Sequence, residues 1–303
     1  AYLCELISTI CGSKPVNATG LLINPVDGLR CVNSVDQLAA FEFAATHVSS
    51  AMRRAVCSLR VGMTEYEVVG EAGLNGIPLS VHPVVASGPR AYLGPASPSS
   101  RRMQLGDPVL LGLGVWGALC ARAGFIARDA ADLPSDLRDY VDRLVAPYFA
   151  AIVEWYETVG IGVTGSSLFE VIQRRIGDPW FGVALNPGHY IHLDEWVHSP
   201  VYAASEVELR SGVAMQMDVI PGTGTPYYST NVEDGIALAD ADMRGDFEAR
   251  WPEAWSRIQG RRAFMADALG IRLKPEVLPL SNLAAHLTPF VLSPSLAMRV
   301  AGR

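Results

Sequence analysis

The sequence is short of most features that would place it on a membrane or on nucleic acid. It has no uninterrupted run of about 18 apolar residues, so no spanning helix is expected. Basic side chains are outnumbered, 24 Lys and Arg against 31 Asp and Glu. The resulting net charge of −7 and pI near 5.4 disfavour electrostatic binding to phosphate backbones or anionic lipid. Cysteine is scarce: Cys4, Cys11, Cys31, Cys57 and Cys120 are scattered, odd in number and form no CxxC. Free or buried thiols in a reducing compartment are expected in place of a disulfide framework, and with them a cytoplasmic location. There is no GxGxxG after a strand and no GxxxxGK[ST], which sets nucleotide binding aside, and no HExxH. The opening Ala1-Tyr2-Leu3-Cys4 lacks a Met and a basic stretch ahead of an apolar run. It is not a standard signal peptide, and the chain is read as beginning inside a longer gene product.

What is present is core-forming material. Half of the 303 residues are apolar, 18% are charged and the mean hydropathy is +0.21. At about 100–200 residues per domain this suits one large domain or two small ones. Residues 1–35 read as a loop-like connector, with turn chemistry at Asn17-Ala18-Thr19-Gly20 and Asn24-Pro25-Val26-Asp27-Gly28. A helical pattern runs from Ser34 to Leu59. Thr64 with Glu67 three residues on predicts a capping box and a second helix. A strand is expected over 79–88, then a hairpin of 109–115 and 118–127 through Trp116-Gly117. Helices are expected over 134–158 and 166–175, strands within 180–238, and helices again over 241–250 and 252–269. Helices and strands that do not alternate as βαβ predict an α+β fold.

Three segments concentrate polar residues among strands. Residues 186–198 hold three of the six histidines, His189, His192 and His198, beside Asp194 and Glu195. In 215–221, strand alternation puts Gln216 and Asp218 on one face and Met215, Met217 and Val219 on the other. In 231–238, Asn231 and Glu233 share a face. An acid in so apolar a run needs a partner or a role. Together the segments supply His, Asp and Glu on separate strands that can converge in a cavity.

These residues resemble the creatinase / aminopeptidase P / methionine aminopeptidase superfamily, whose members share the pita-bread fold, over about residues 33–240. Gly62-Met63-Thr64-Glu65-Tyr66-Glu67 is similar to the family's helix opening. Val85-Ala86-Ser87-Gly88 is similar to its first strand, and Gly106 to Leu111 to the strand that delivers the first metal aspartate. Pro187-Gly188-His189 resembles the motif whose His is a metal ligand. Residues 212–221 resemble the segment carrying the first metal glutamate, here Asp218. Val232-Glu233-Asp234 resembles the motif whose Glu bridges two metals. The resemblance implies a pita-bread domain over 36–240, with its mixed, curved sheet covered by helices, a helical extension over 241–303 and a homodimer. It leaves 1–35 as the remnant of a missing N-terminal domain.

The departures set the chemistry. The family's two metal aspartates, about eleven residues apart, fall on Gly112 and on Ala123, or with a one-residue shift on Arg122. None of these binds a cation. The family's upstream His falls near Pro95 and its downstream His on Trp196, unless a short insertion restores His198 to the role; His192 replaces a glycine. By the precedent of creatinase, which cleaves a C–N bond without metal, the resemblance implies a metal-independent hydrolase of an amide or amidine bond. His189 is the acid/base, with His198 and His192 as rivals and Glu233 as partner. Asp218, His192, His82, Asn231 and Arg122 are the candidate substrate-binding residues, and the substrate is a small molecule or short peptide. No cofactor is expected; one divalent ion on His189, Asp218 and Glu233 is the variant case. Two other readings stay open: a binding module without turnover, and an Xaa-Pro peptidase with a single-metal site.

Overall fold

The computed structural model describes residues 2–302. It opens with two short helices, α1 (Tyr2–Cys11) and α2 (Thr19–Ile23), where loop was expected. Neither buries a side chain, and the turn residues between and after them dominate the local pattern. The next helices start where their caps require. Ser34 accepts from Gln37 N at the head of α3 (Val35–Ser58). Thr64 and Glu67 form the predicted capping box at the head of α4 (Glu65–Ala72), satisfying backbone N–H groups that the first turn leaves unpaired.

Three strands follow: β1 (Val81–Ser87), β2 (Pro108–Val115) and β3 (Ala118–Phe125). Trp116-Gly117 turns the hairpin between β2 and β3. Gly117 has φ +93°, and a Cβ there would lie 2.8 Å from the Phe41 ring, so both conformation and space call for glycine. The expected long helix is α5 (Ala146–Thr158), preceded by a π-helical turn at Val141–Val145. Pro147 has no N–H to give the regular ladder there. Then come α6 (Gly165–Ile176), β4 (His189–Tyr190), β5 (Ala214–Met217) and β6 (Asn231–Leu238). The region 180–238 thus carries less strand than expected, and long loops join these three pieces.

The strands form one curled sheet in the order β1-β2-β3-β6-β5-β4. Its strand pairs are all antiparallel, a narrower arrangement than the mixed sheet expected. Helices cover one face. Under α3 lie Leu111, Leu113 and Cys120; under α5 lie Val232, Met217 and Tyr190. The other face is left for a cavity. The two halves of the chain repeat a device: Thr64 and Thr164 each cap a helix and each make an isolated bridge, to Arg102 and Glu208.

After β6 come α7 (Ala241–Arg250), α8 (Pro252–Phe264) and β7 (Val277–Pro279). This last stretch is more than a helical cap, because β7 pairs with β6 and extends the sheet. Glu42 of α3, fully buried, takes ion pairs from Arg257 and Arg261 of α8 at 2.6 and 2.7 Å. The arginines of this stretch therefore serve as a clamp. No helix among the described residues is long and apolar enough to cross a membrane. All five cysteines are free thiols.

Arg122 is the sharpest correction to the sequence reading. It lies on the helix-covered face, 4% exposed, and does not reach the cavity. Its guanidinium meets Asp234 Oδ2 at 2.9 Å and donates to Leu283 O at 2.7 Å. Asp234 also accepts from Ser281 Oγ at 2.6 Å and Ala285 N at 3.2 Å. Burial pushes the Asp234 carboxyl above its ordinary value, and Arg122 and these donors pull against it. Removing one member of such a pair strands a charge in the core. Arg122→Met should therefore cost about 3–5 kcal/mol in urea unfolding; a loss near that of an ordinary surface substitution would contradict the placement.

Candidate functional site

Antiparallel register sets one row of residues side by side on the open face. Gly112 pairs with Ala121, and Ala121 with Glu233. Met217 pairs with Asp234, which leaves Asp218, the next residue, beside Glu233. His189 pairs with Gln216 at the far edge. Gly188 just before it has φ +122°, and a Cβ there would meet Gln216 O and the Trp155 ring at 3.1 Å each. Glycine lets β4 lie close enough to bring His189 into the row.

The result is one imidazole among three carboxylates. His189 Nε2 is 3.3 Å from Glu195 Oε1, 3.7 Å from Asp218 Oδ2 and 3.7 Å from Glu233 Oε1. His189 is fully buried; Asp218 and Glu233 are nearly so. His189 Nε2, Asp218 Oδ1 and Glu233 Oε1 have no well-formed hydrogen bond within the protein. The Trp196 ring stacks on the imidazole, centroids 4.2 Å apart and planes 26° apart. Burial disfavours the imidazolium, but the close approach of Glu195 and Glu233 and the charge of Asp218 outweigh it, raising the His189 pKa to about 10. Burial pushes both Asp218 and Glu233 above the ordinary carboxylate range, and His189 pulls them back only in part.

Beside the cluster opens a cavity of about 400 Å³, with Glu195, Trp196, Asp218, Asn231 and Glu233 among its lining. Of the residues singled out from sequence, His189, Asp218 and Glu233 come together, and Asn231 joins them. The Oδ1 atom of Asn231 accepts from Tyr148 Oη at 3.2 Å while its Nδ2 is unpartnered. His82 stays at the rim, bonded to the carbonyl of Pro95, which lines the cavity. His198 and His192 do not reach it. His198 Nδ1 meets Ser199 O at 3.0 Å, and its own carbonyl accepts from Tyr190 N. The His192 ring packs edge-on against Phe41 of α3, and burial and Arg30 lower its pKa. Arg122 is behind the sheet. Glu195 is the residue that sequence reasoning left out of the site. Its signal was adjacency to the three histidines, but it sits on a loop where strand alternation gives no face.

A two-ion centre does not fit. It needs bridging carboxylates that hold two ions about 3.5–4 Å apart, and Gly112, where the first aspartate was expected, offers no ligand atom; nor does Ala121, which lies between it and Glu233. Ala123, where the second aspartate was expected, pairs with Asn231 and offers none either. A single ion does fit: His189, Glu195 and Glu233 present ligand atoms all within 4.8 Å of one another, two of them without hydrogen-bond partners.

No family model matches the sequence, and no curated protein does. Solved structures do. An Xaa-Pro dipeptidase from Bacillus anthracis superposes with TM-score 0.57 at 21% identity, over 71% of this chain and 61% of that one. A dipeptidase from Mycobacterium ulcerans gives 0.61 at 21%, over 79% and 64%. An X-Pro aminopeptidase from Thermotoga maritima gives 0.58 at 17%, over 79% and 67%. The chain spans less than two thirds of the length of the two dipeptidases. The likeness establishes the fold: this chain has the pita-bread fold that the sequence motifs implied.

The raised pKa has a measurable consequence. In nitrogen-detected NMR, His189 should keep both ring protons at pH 8, whereas titration near the ordinary value of about 6.5 would contradict the cluster geometry. Linked to folding, a raised His pKa adds stability that is fully present below about pH 6.5. That contribution is lost as the pH rises through about 10, so urea midpoints should fall over that window.

Proposed function

We propose that this protein hydrolyses a C–N bond of a small amide or amidine, and does so by proton transfer among its own side chains. The observation that carries this reading is the buried His189, with Nε2 within 3.7 Å of three carboxylate oxygens beside a cavity. Because His189 holds its proton at neutral pH, its role is that of acid. It would give a proton to the departing nitrogen as the C–N bond breaks. Water adds to the carbon, and its proton goes to the Asp218–Glu233 pair, whose raised affinity suits a base working near neutrality. The proton then returns from the carboxylates to His189, 3.7 Å from each. Asn231, with its free Nδ2 at the cavity, is placed to donate to the oxygen or nitrogen that gains charge.

A second reading is favoured by the spacing of His189, Glu195 and Glu233, which would hold one divalent ion. Bound there, such an ion would supply Lewis-acid polarisation and an acidified water, the chemistry of a single-metal peptidase. The names of the structural neighbours, Xaa-Pro dipeptidase and X-Pro aminopeptidase, support a C–N hydrolase in either case.

A substrate panel of small amides, amidines and Xaa-Pro dipeptides, run with and without chelator, separates the readings. The proposal expects turnover that survives chelation and falls by about 10²–10⁴-fold in His189→Ala. Turnover abolished by chelator would overturn it in favour of the single-ion site. A folded protein with no turnover on the panel would overturn both in favour of a binding module.

A further inference from the structure

The cavity has a strongly one-sided chemistry. Its walls are apolar, with Val81, Val84, Leu110, Leu119, Leu185 and Ile220 among them, and its polar end is acidic, with Glu195, Asp218 and Glu233. No Lys or Arg lines it among the described residues. We propose that the cavity binds small apolar cations, an aryl or alkyl amidinium or ammonium, and rejects ligands that carry a free carboxylate. This rests on the reading of the cavity as the substrate site and names its substrate class.

Three observations support it. Glu233 Oε1 and Asp218 Oδ1 belong to side chains 5% and 4% exposed, line the cavity and have no hydrogen-bond partner. Buried acceptors left open in this way call for a donor, and an amidinium supplies two parallel N–H groups to carboxylate oxygens. The lining agrees in sign: three carboxyl groups gather around one imidazole and no basic side chain among the described residues lines the cavity, so a ligand cation is received and a ligand anion opposed. Trp196 adds an indole at the cavity wall, 42% exposed, whose face favours a cation. A ligand carboxylate would meet only carboxylates and apolar side chains, desolvated and unpaired. The volume of about 400 Å³ is that of a small-molecule site. A dipeptide carries both an ammonium and a carboxylate, so the cavity separates the two classes by charge while its apolar walls accept the body of either.

Benzamidinium and benzoate share size and shape and differ in charge. In calorimetric titration of the full chain near neutral pH and low salt, benzamidinium should bind one to one and benzoate should give no saturable heat. Glu233→Gln, which keeps the shape, should weaken benzamidinium by about tenfold or more, and Asp218→Asn should act in the same direction. Benzoate binding as tightly as benzamidinium, or benzamidinium affinity unchanged in folded Glu233→Gln and Asp218→Asn, would overturn the inference. Benzamidinium binding in a chain that turns over no C–N substrate would uphold it while defeating the hydrolytic reading. Turnover of a free dipeptide without benzamidinium binding would do the reverse.

Discussion

The buried pair of Arg122 and Asp234 is the constraint on which the rest of the molecule hangs. It sits at a short seam of the sheet: β3 and β6 share three paired positions, against eight between β2 and β3. The pair adds side-chain bonds across that seam, and Arg122 also donates to the carbonyls of Ala121 and Glu233. It draws in the chain after β7 as well, through Ser281, Leu283 and Ala285. Alternation then does the rest. With Asp234 fixed on the helix side, Glu233 must face the cavity. A structural ion pair and a cavity-lining carboxylate are thus held by consecutive residues on opposite faces of one strand.

On the open face the arrangement follows from a balance of charge. A row of buried carboxylates requires a counter-cation, since isolated buried charges cost several kcal/mol each. With Gly112 and Ala123 at the two positions where acids were expected, fewer carboxylates converge there, and His189 supplies the positive charge from inside the protein. Trp196 covers the imidazole and keeps it dry. The small number of carboxylates and the raised His189 pKa are two sides of one arrangement. The same gathering of carboxyl groups, with no basic side chain among the described residues on the cavity wall, underlies the proposed selectivity by sign.

Much of this was legible in the residues. Thr64 and Glu67 announce a helix start, Trp116-Gly117 a hairpin, and alternation puts Asp218 with Gln216 in 215–221 and Asn231 with Glu233 in 231–238. The fold followed from the order of such motifs. Other features depend on tertiary structure. Arg122 could be read as a cavity residue only because the spacing of the hairpin was uncertain by one position, and one position reverses the face. His192 and His198 looked like site residues by proximity in sequence. Yet β4 is two residues long, and the chain beyond it turns His192 toward Phe41 and leaves His198 bonded to the next carbonyl. Glu195 reaches His189 from a loop, where no periodicity speaks. The helices at 2–11 and 19–23 bury nothing and so carry no core-facing signature.

The most direct test of a site run by protons is its metal content. The chain would be purified without chelator, equilibrated with manganese and then zinc, and its bound metal counted per chain. A site in which His189 is the resident cation predicts occupancy well below stoichiometric with either ion. One ion held per chain would contradict that account and assign His189, Glu195 and Glu233 as ligands; two would contradict the placement of Gly112 and Ala123 at the positions where metal aspartates were expected.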